Sequence, residues 1–132
     1  MALSLDDRLE ILDLIARYSH AVDGGDGQAF ADCWTDDGRF RGSSSTAEGR
    51  AELLALPPKL LAANPHTRHW NANILIEGDG DEARTSAYVL VVDVAAAPRP
   101  RSSGVYHDTL RRVDGAWRFV TRTVTPDAAR SS

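Results

Sequence analysis

The chain has 132 residues, 42% hydrophobic and 26% charged, with a formal net charge of −4. That is one domain with a core of its own, and its acids and bases are spread without a basic face, which excludes a nucleic-acid surface. A single cysteine, Cys33, excludes a disulfide framework, no apolar run reaches membrane-spanning length, and residues 1–8 lack the cationic and apolar regions of a signal peptide, so a cytoplasmic location is expected.

Leu5, Leu9, Leu12, Ile15 and Val22 recur at helical spacing and predict an amphipathic helix over residues 5–23. Ser4 with Asp7 three residues on supplies a capping-box start, and Gly24-Gly25 the stop. Asp26 reads as the N-cap of a short second helix to Trp34, followed by an Asp36-Asp37-Gly38 turn and a brief strand at Arg39-Phe40-Arg41. Residues 47–63 form a third helical region that Pro57-Pro58 must break or kink. After Pro65 the character changes, and residues 69–76, 83–94, 105–113 and 116–124, rich in β-branched and aromatic residues, read as strands. The acidic run Glu77–Asp81 and the pair Asp114-Gly115 are hairpin turns, and Pro98–Gly104 reads as a mobile loop unable to extend a strand. Helices first and strands afterwards predict an α+β fold, with helices packed across a curved antiparallel sheet, and a flexible tail over 127–132.

Polar side chains stand where apolar ones are expected, and a short domain buries such groups only when they are hydrogen-bonded to each other or to a ligand. Asp23, in the last turn of the first helix, faces the negative end of the helix dipole; it either begins the following turn or is compensated by a partner. Tyr18 alone reads as a core aromatic. On a regular strand His69, Asn71, Asn73 and Leu75 share one face, and Trp70, Ala72, Ile74 and Ile76 form an apolar wall on the other. The polar face either meets water or lines a cavity, to which Tyr106, Asp108, Asp93 and Arg122 could contribute. The imidazole is the side chain best suited to moving protons near neutral pH. Arg122 lies between Val120 and Val124 and needs a partner, for which Asp23 or Asp93 is the natural candidate; a structural Arg–Asp pair is the alternative. His66 and His69 point to opposite faces of a strand, and Asp79-Gly80-Asp81 lacks the rest of a calcium loop, so no metal or other cofactor is expected.

Ile15 to Asp26, Trp34 to Gly38, Arg68-His69-Trp-Asn-Ala-Asn73, Gly104-Val-Tyr106-His-Asp108 and Asp114 to Arg122 together resemble the SnoaL-like group of the NTF2-like superfamily, over residues 4–127. That group includes scytalone dehydratase, bile-acid dehydratases and polyketide cyclases. The resemblance implies a cone of three helices and a bent sheet, with a Tyr and an Asp from the first helix opposite a His on the sheet. Those positions fall on Tyr18, Asp23 and His69, and similarity to the bile-acid dehydratases adds Arg122 and Asp93. The implied chemistry is cofactor-free proton transfer next to a carbonyl in a hydrophobic small molecule, most simply a dehydration. In it His69 is the base, Asp23 orients it, Tyr18 donates to the carbonyl oxygen, and Asn71, Asn73, Tyr106 and Asp108 contact substrate. Isomerisation or cyclisation through the same enolate, epoxide opening by an Asp–Arg–Asp set, and a noncatalytic binding or assembly subunit are the alternatives. A homodimer through the outer sheet face is expected, because Trp70, Ala72, Ile74 and Ile76 would otherwise form a large exposed patch.

Overall fold

The computed structural model describes residues 1–127. Helix α1 (Leu5–Gly24) opens on a capping box: the Ser4 hydroxyl accepts from the Asp7 amide, and the Asp7 carboxylate accepts from the Ser4 amide. Two donors that the first turn would orphan are thereby satisfied. Gly25, at φ 68°, ends the helix in the left-handed region, where a Cβ is penalised. Asp26 caps α2 (Gly27–Ala31) through the Ala29 amide, and this helix stops short of Trp34, which opens β1 (Trp34–Arg41) instead.

A short β2 (Thr46–Glu48) leads into α3 (Arg50–Ala63), which continues through Pro57 and Pro58 rather than breaking there. The two prolines lack the amides that would bond the Leu53 and Leu54 carbonyls. The Leu54 carbonyl instead lies against Gly27, where a Cβ would stand 2.1 Å from its oxygen, so this contact of α2 with α3 requires glycine.

The remaining chain forms β3 (Thr67–Asp79), β4 (Glu82–Asp93), β5 (Arg99–Val113) and β6 (Ala116–Pro126), in a sheet of order β2-β1-β6-β5-β4-β3. All neighbours are antiparallel except β1 and β6, so the sheet is mixed rather than wholly antiparallel. The segment expected as a loop from Pro98 to Gly104 is largely strand: Arg99 pairs with Asp93 and Pro100 with Val92. β6 reaches only as far as Gly104 along β5, so Pro100 has a strand on one side alone, an edge position where proline is tolerated. Asp127 is tied to Ser103 by its amide and carboxylate, and the rest of the expected tail lies outside the described residues.

Three bulges decide which side chains enter the cone. On β3 one extra residue lies between Ala72 and Leu75, and Asn73 takes φ 54° there. The alternation therefore reverses: Ile74 and Ile76 turn toward the helices, while Leu75 is 71% exposed on the outer face. The expected apolar wall is thus dismantled, and the outer face carries Trp70, Leu75 and Tyr88. On β6 the extra residue is Val120, so Phe119 and Arg122 both point inward. On β5 it is Arg101, set between Pro100 and Ser102, which face consecutive residues of β4. Tyr18, Phe30, Trp34 and Phe119 pack in the core with ring centroids 5.0–6.2 Å apart. Among the described residues no helix is long and apolar enough to cross a membrane.

Candidate active site

Asp23 ends the buried side of α1, and His69 lies near the start of edge strand β3. The Asp23 carboxylate accepts twice from this one residue, at 2.6 Å from the imidazole Nδ1 and at 3.0 Å from the backbone amide. A carboxylate only accepts, so Nδ1 carries the proton and Nε2 is left as the basic nitrogen. The amide bond fixes the carboxylate against the strand, and the ring is oriented by the same group. It also caps a donor on the free edge of β3. His69 and Asp23 are both partly buried, with side-chain exposures of 19% and 12%.

The pair separates two hollows. One, about 250 Å³, opens at the mouth of the cone between α3, β4 and β5, with Val22, Leu60, Leu61 and Val91 as its apolar walls and Ser102 and Arg101 on its rim. The other, about 660 Å³, is a groove between α1 and β3, lined by Leu12, Ala16, His20 and Trp70 among others. Asn71 faces this groove: its Nδ2 donates to the Ser19 hydroxyl at 2.7 Å, and its Oδ1 is buried without a partner among the described residues. Asn73, at the bulge, is exposed and belongs to neither hollow, which corrects its expected place beside the substrate.

Deeper in the cone a second polar group is assembled. Thr85, Asp108 and Arg122 lie opposite one another on β4, β5 and β6. The Asp108 carboxylate accepts from Arg122 Nε at 2.7 Å, from Arg122 Nη2 at 3.1 Å and from the Thr85 hydroxyl at 2.7 Å. Arg122 therefore pairs with Asp108, not with Asp23 or Asp93, and Asp108 is engaged by the protein rather than free for a substrate. Asp93 accepts from the Ala95 amide at 2.9 Å and shapes the turn after β4, so it takes no part in this cluster. The Arg122 guanidinium lies 3.6 Å from the Tyr106 ring centroid and 4.4 Å from that of Tyr18, within cation–π range.

Burial works against the charge of Arg122, but the facing Asp108 more than offsets it and holds the guanidinium firmly protonated. Burial pushes the Tyr18 hydroxyl well above the usual phenol range and raises that of Tyr106, so both remain donors. The charge of Asp23 also raises Tyr106, which links the deep cluster to the pair at the mouth. Tyr18 and Arg122 line neither hollow and are buried in the packed interior. Cys33 is a buried thiol pushed up to about 11 by desolvation, in keeping with the inert core cysteine expected.

Ser19, Thr85, Ser102 and Arg101 escaped the sequence reading. Thr85 had a signal: it is the one polar residue in the inward series Ala83, Thr85, Ala87, Val89. Arg101 had none, because a bulge puts it at the cavity.

The sequence matches the SnoaL-like domain family over residues 3–123. The chain belongs to that family. A search of curated proteins returned no match. Among solved structures, this SnoaL-like chain is similar to a cystatin-like-fold protein from Nostoc punctiforme, at 28% identity, with 98% of each chain covered and a TM-score of 0.90. An NTF2-like protein from Novosphingobium aromaticivorans is 30% identical, with 95% of this chain and 85% of that one covered and a TM-score of 0.84. A third, also from Novosphingobium aromaticivorans, carries a provisional scytalone dehydratase assignment; it is 26% identical, with coverages of 94% and 86% and a TM-score of 0.74.

Proposed function

We infer that this SnoaL-like protein is a cofactor-independent acid–base enzyme acting next to a carbonyl, and most simply a hydro-lyase on a hydrophobic cyclic substrate. The observation that carries the reading is the Asp23–His69 pair, with Nδ1 held at 2.6 Å and Nε2 left as base beside a mixed cavity whose apolar part is Val22, Leu60, Leu61 and Val91. His69 removes the proton α to the carbonyl, and Asp23 stabilises the imidazolium that forms. Tyr18, the donor expected for the enolate oxygen, lies in the packed base and lines neither hollow, so it takes no part in this step. The enolate re-forms the carbonyl by expelling the β-hydroxyl, which takes the proton back from His69 and leaves as water. Isomerisation or cyclisation shares the first step and differs in what the enolate does next. Epoxide opening loses support, because Asp93 does not face Arg122.

Positioned acid–base groups contribute roughly 10²–10⁴ in rate. Turnover of cyclic β-hydroxy ketones, followed by enone absorbance, is therefore expected to fall by about that factor in His69→Ala and Asp23→Asn. Full activity in either variant would sink the reading.

The packed base of the cone, where Tyr18 is 2% and Arg122 0% exposed, favours a second reading: a noncatalytic ligand-binding or assembly subunit. It predicts ligand binding without turnover by the wild-type protein. In either case a second copy covering Trp70, Leu75 and Tyr88 on the outer sheet would form a homodimer, and a monomer mass by light scattering at micromolar concentration counts against it.

A further inference from the structure

Strict alternation on a strand sends adjacent side chains to opposite faces, yet Ser102 and Arg101 both line the mouth cavity. The β5 bulge is the cause. Val91 and Val92 of β4 face Ser102 and Pro100, so Arg101 is the extra residue, and its exposed side chain is brought to the rim of the cavity. Four arginines of the described chain are held by carboxylates, Arg50 by Asp32, Arg84 by Glu77, Arg112 by Asp7 and Asp81, and Arg122 by Asp108, and Arg101 is among the larger number that are not, set apart from those by its place on the cavity. Arg101 makes no ion pair among the described residues. The one carboxylate lining its cavity, Asp23, already accepts twice from His69. The cavity thus carries a proton acceptor in its lining and, on its rim, a guanidinium with no carboxylate partner among the described residues.

We propose that Arg101 is a specificity residue that binds a carboxylate carried by the substrate, about two strand spacings, or ~10 Å, from the proton His69 removes. The register sets the backbone spacing on which this figure rests: His69 lies opposite Val91, and Val91 lies opposite Ser102, next to Arg101. A cavity of about 250 Å³ holds one ring and a short chain, since a cavity of ~150 Å³ already accepts benzene. The substrate class is therefore a monocyclic keto acid, its carboxylate several bonds from the ketone. This rests on the acid–base reading for the position of the reacting carbon, though the anion site stands on the bulge and the cavity alone.

The probes are a cyclohexanone bearing a butanoate chain on the ring carbon β to the carbonyl, and its uncharged methyl ester. Binding is measured by calorimetry and by the shift of the His69 ring protons in NMR. Wild type is expected to bind the acid at least tenfold more tightly than the ester, and added salt is expected to weaken the acid alone. In Arg101→Gln the preference falls to within twofold while ester binding is unchanged, and Arg101→Lys restores part of it. Equal affinity of wild type for acid and ester, no binding of either, or a preference that survives Arg101→Gln overturns the proposal. His69→Ala separates the two readings: it retains the acid preference if the anion site is right, whatever happens to turnover.

Discussion

Replacing Asp108 by asparagine keeps the volume of the side chain and removes its charge. In the folded chain that leaves Arg122, with no exposed surface, facing a neutral amide at 2.7 and 3.1 Å in place of a carboxylate. The Thr85 hydroxyl loses a charged acceptor as well. Breaking a buried pair by removing one partner costs about 3–5 kcal/mol, because the desolvated charge persists. At about 3–5 °C per kcal/mol for a domain of this size, the midpoint of thermal unfolding is expected to fall by ~10–20 °C. Urea unfolding followed by tryptophan fluorescence reads the free energy directly, since Trp34 and Trp117 are both buried. The double variant Asp108→Leu with Arg122→Met removes both charges and is expected to recover most of the loss. A loss below about 1 kcal/mol in Asp108→Asn, or a double variant no better than the single one, would refute the claim that Asp108 compensates Arg122.

Three further outcomes follow from local geometry. Gly27→Ala drives a Cβ against the Leu54 carbonyl and is expected to cost about 1–3 kcal/mol; a neutral result by urea unfolding would mean that α2 and α3 are not in this contact. Asn73→Val places a β-branched residue at φ 54° and is expected to cost about 1–2 kcal/mol, whereas Asn73→Gly is near neutral; equal stabilities would argue against the bulge. The Asp7 carboxyl is lowered from 3.8 to about 2, first by the Ser4 amide and then by the Trp117 indole N–H. Its stabilisation is fully present above about pH 4 and is lost as pH falls toward 2, so the acid limb of the urea midpoint should flatten in Asp7→Asn.

Much of the fold was legible because local signals agreed with one another. The capping box at Ser4, the Gly25 stop, the Asp26 cap and the Asp114-Gly115 turn each fix an element end by chemistry confined to a few residues. The Asp23–His69 pair was legible only through the family resemblance: taken alone, Asp23 read as the start of a turn or as a partner for Arg122, and the polar face of His69 as solvated or lining a cavity. The misreadings share one physical origin. Period-two reasoning carries a face assignment along a strand, and each bulge inverts it beyond that point. Asn73 and Leu75 were placed inside on that basis, Ile74 and Ile76 outside, and Val120 beside Arg122. The partner of Arg122 was missed because cross-strand register decides it: Asp108 lies directly opposite on β5, while Asp93 is at the far end of β4. Pro100 suggested a loop because nothing local reveals that β6 ends before reaching it.

The most direct test of the Asp23–His69 site needs no knowledge of the natural substrate. Proton abstraction next to a carbonyl can be followed by proton NMR as exchange of the α-hydrogens of small cyclic ketones in D₂O. Wild type is expected to accelerate the exchange over buffer, and His69→Ala, shown to be folded by its unfolding midpoint, to lose about 10²–10⁴ of that rate. Exchange by wild type no faster than in buffer, or undiminished in His69→Ala, would contradict the assignment of His69 as the base.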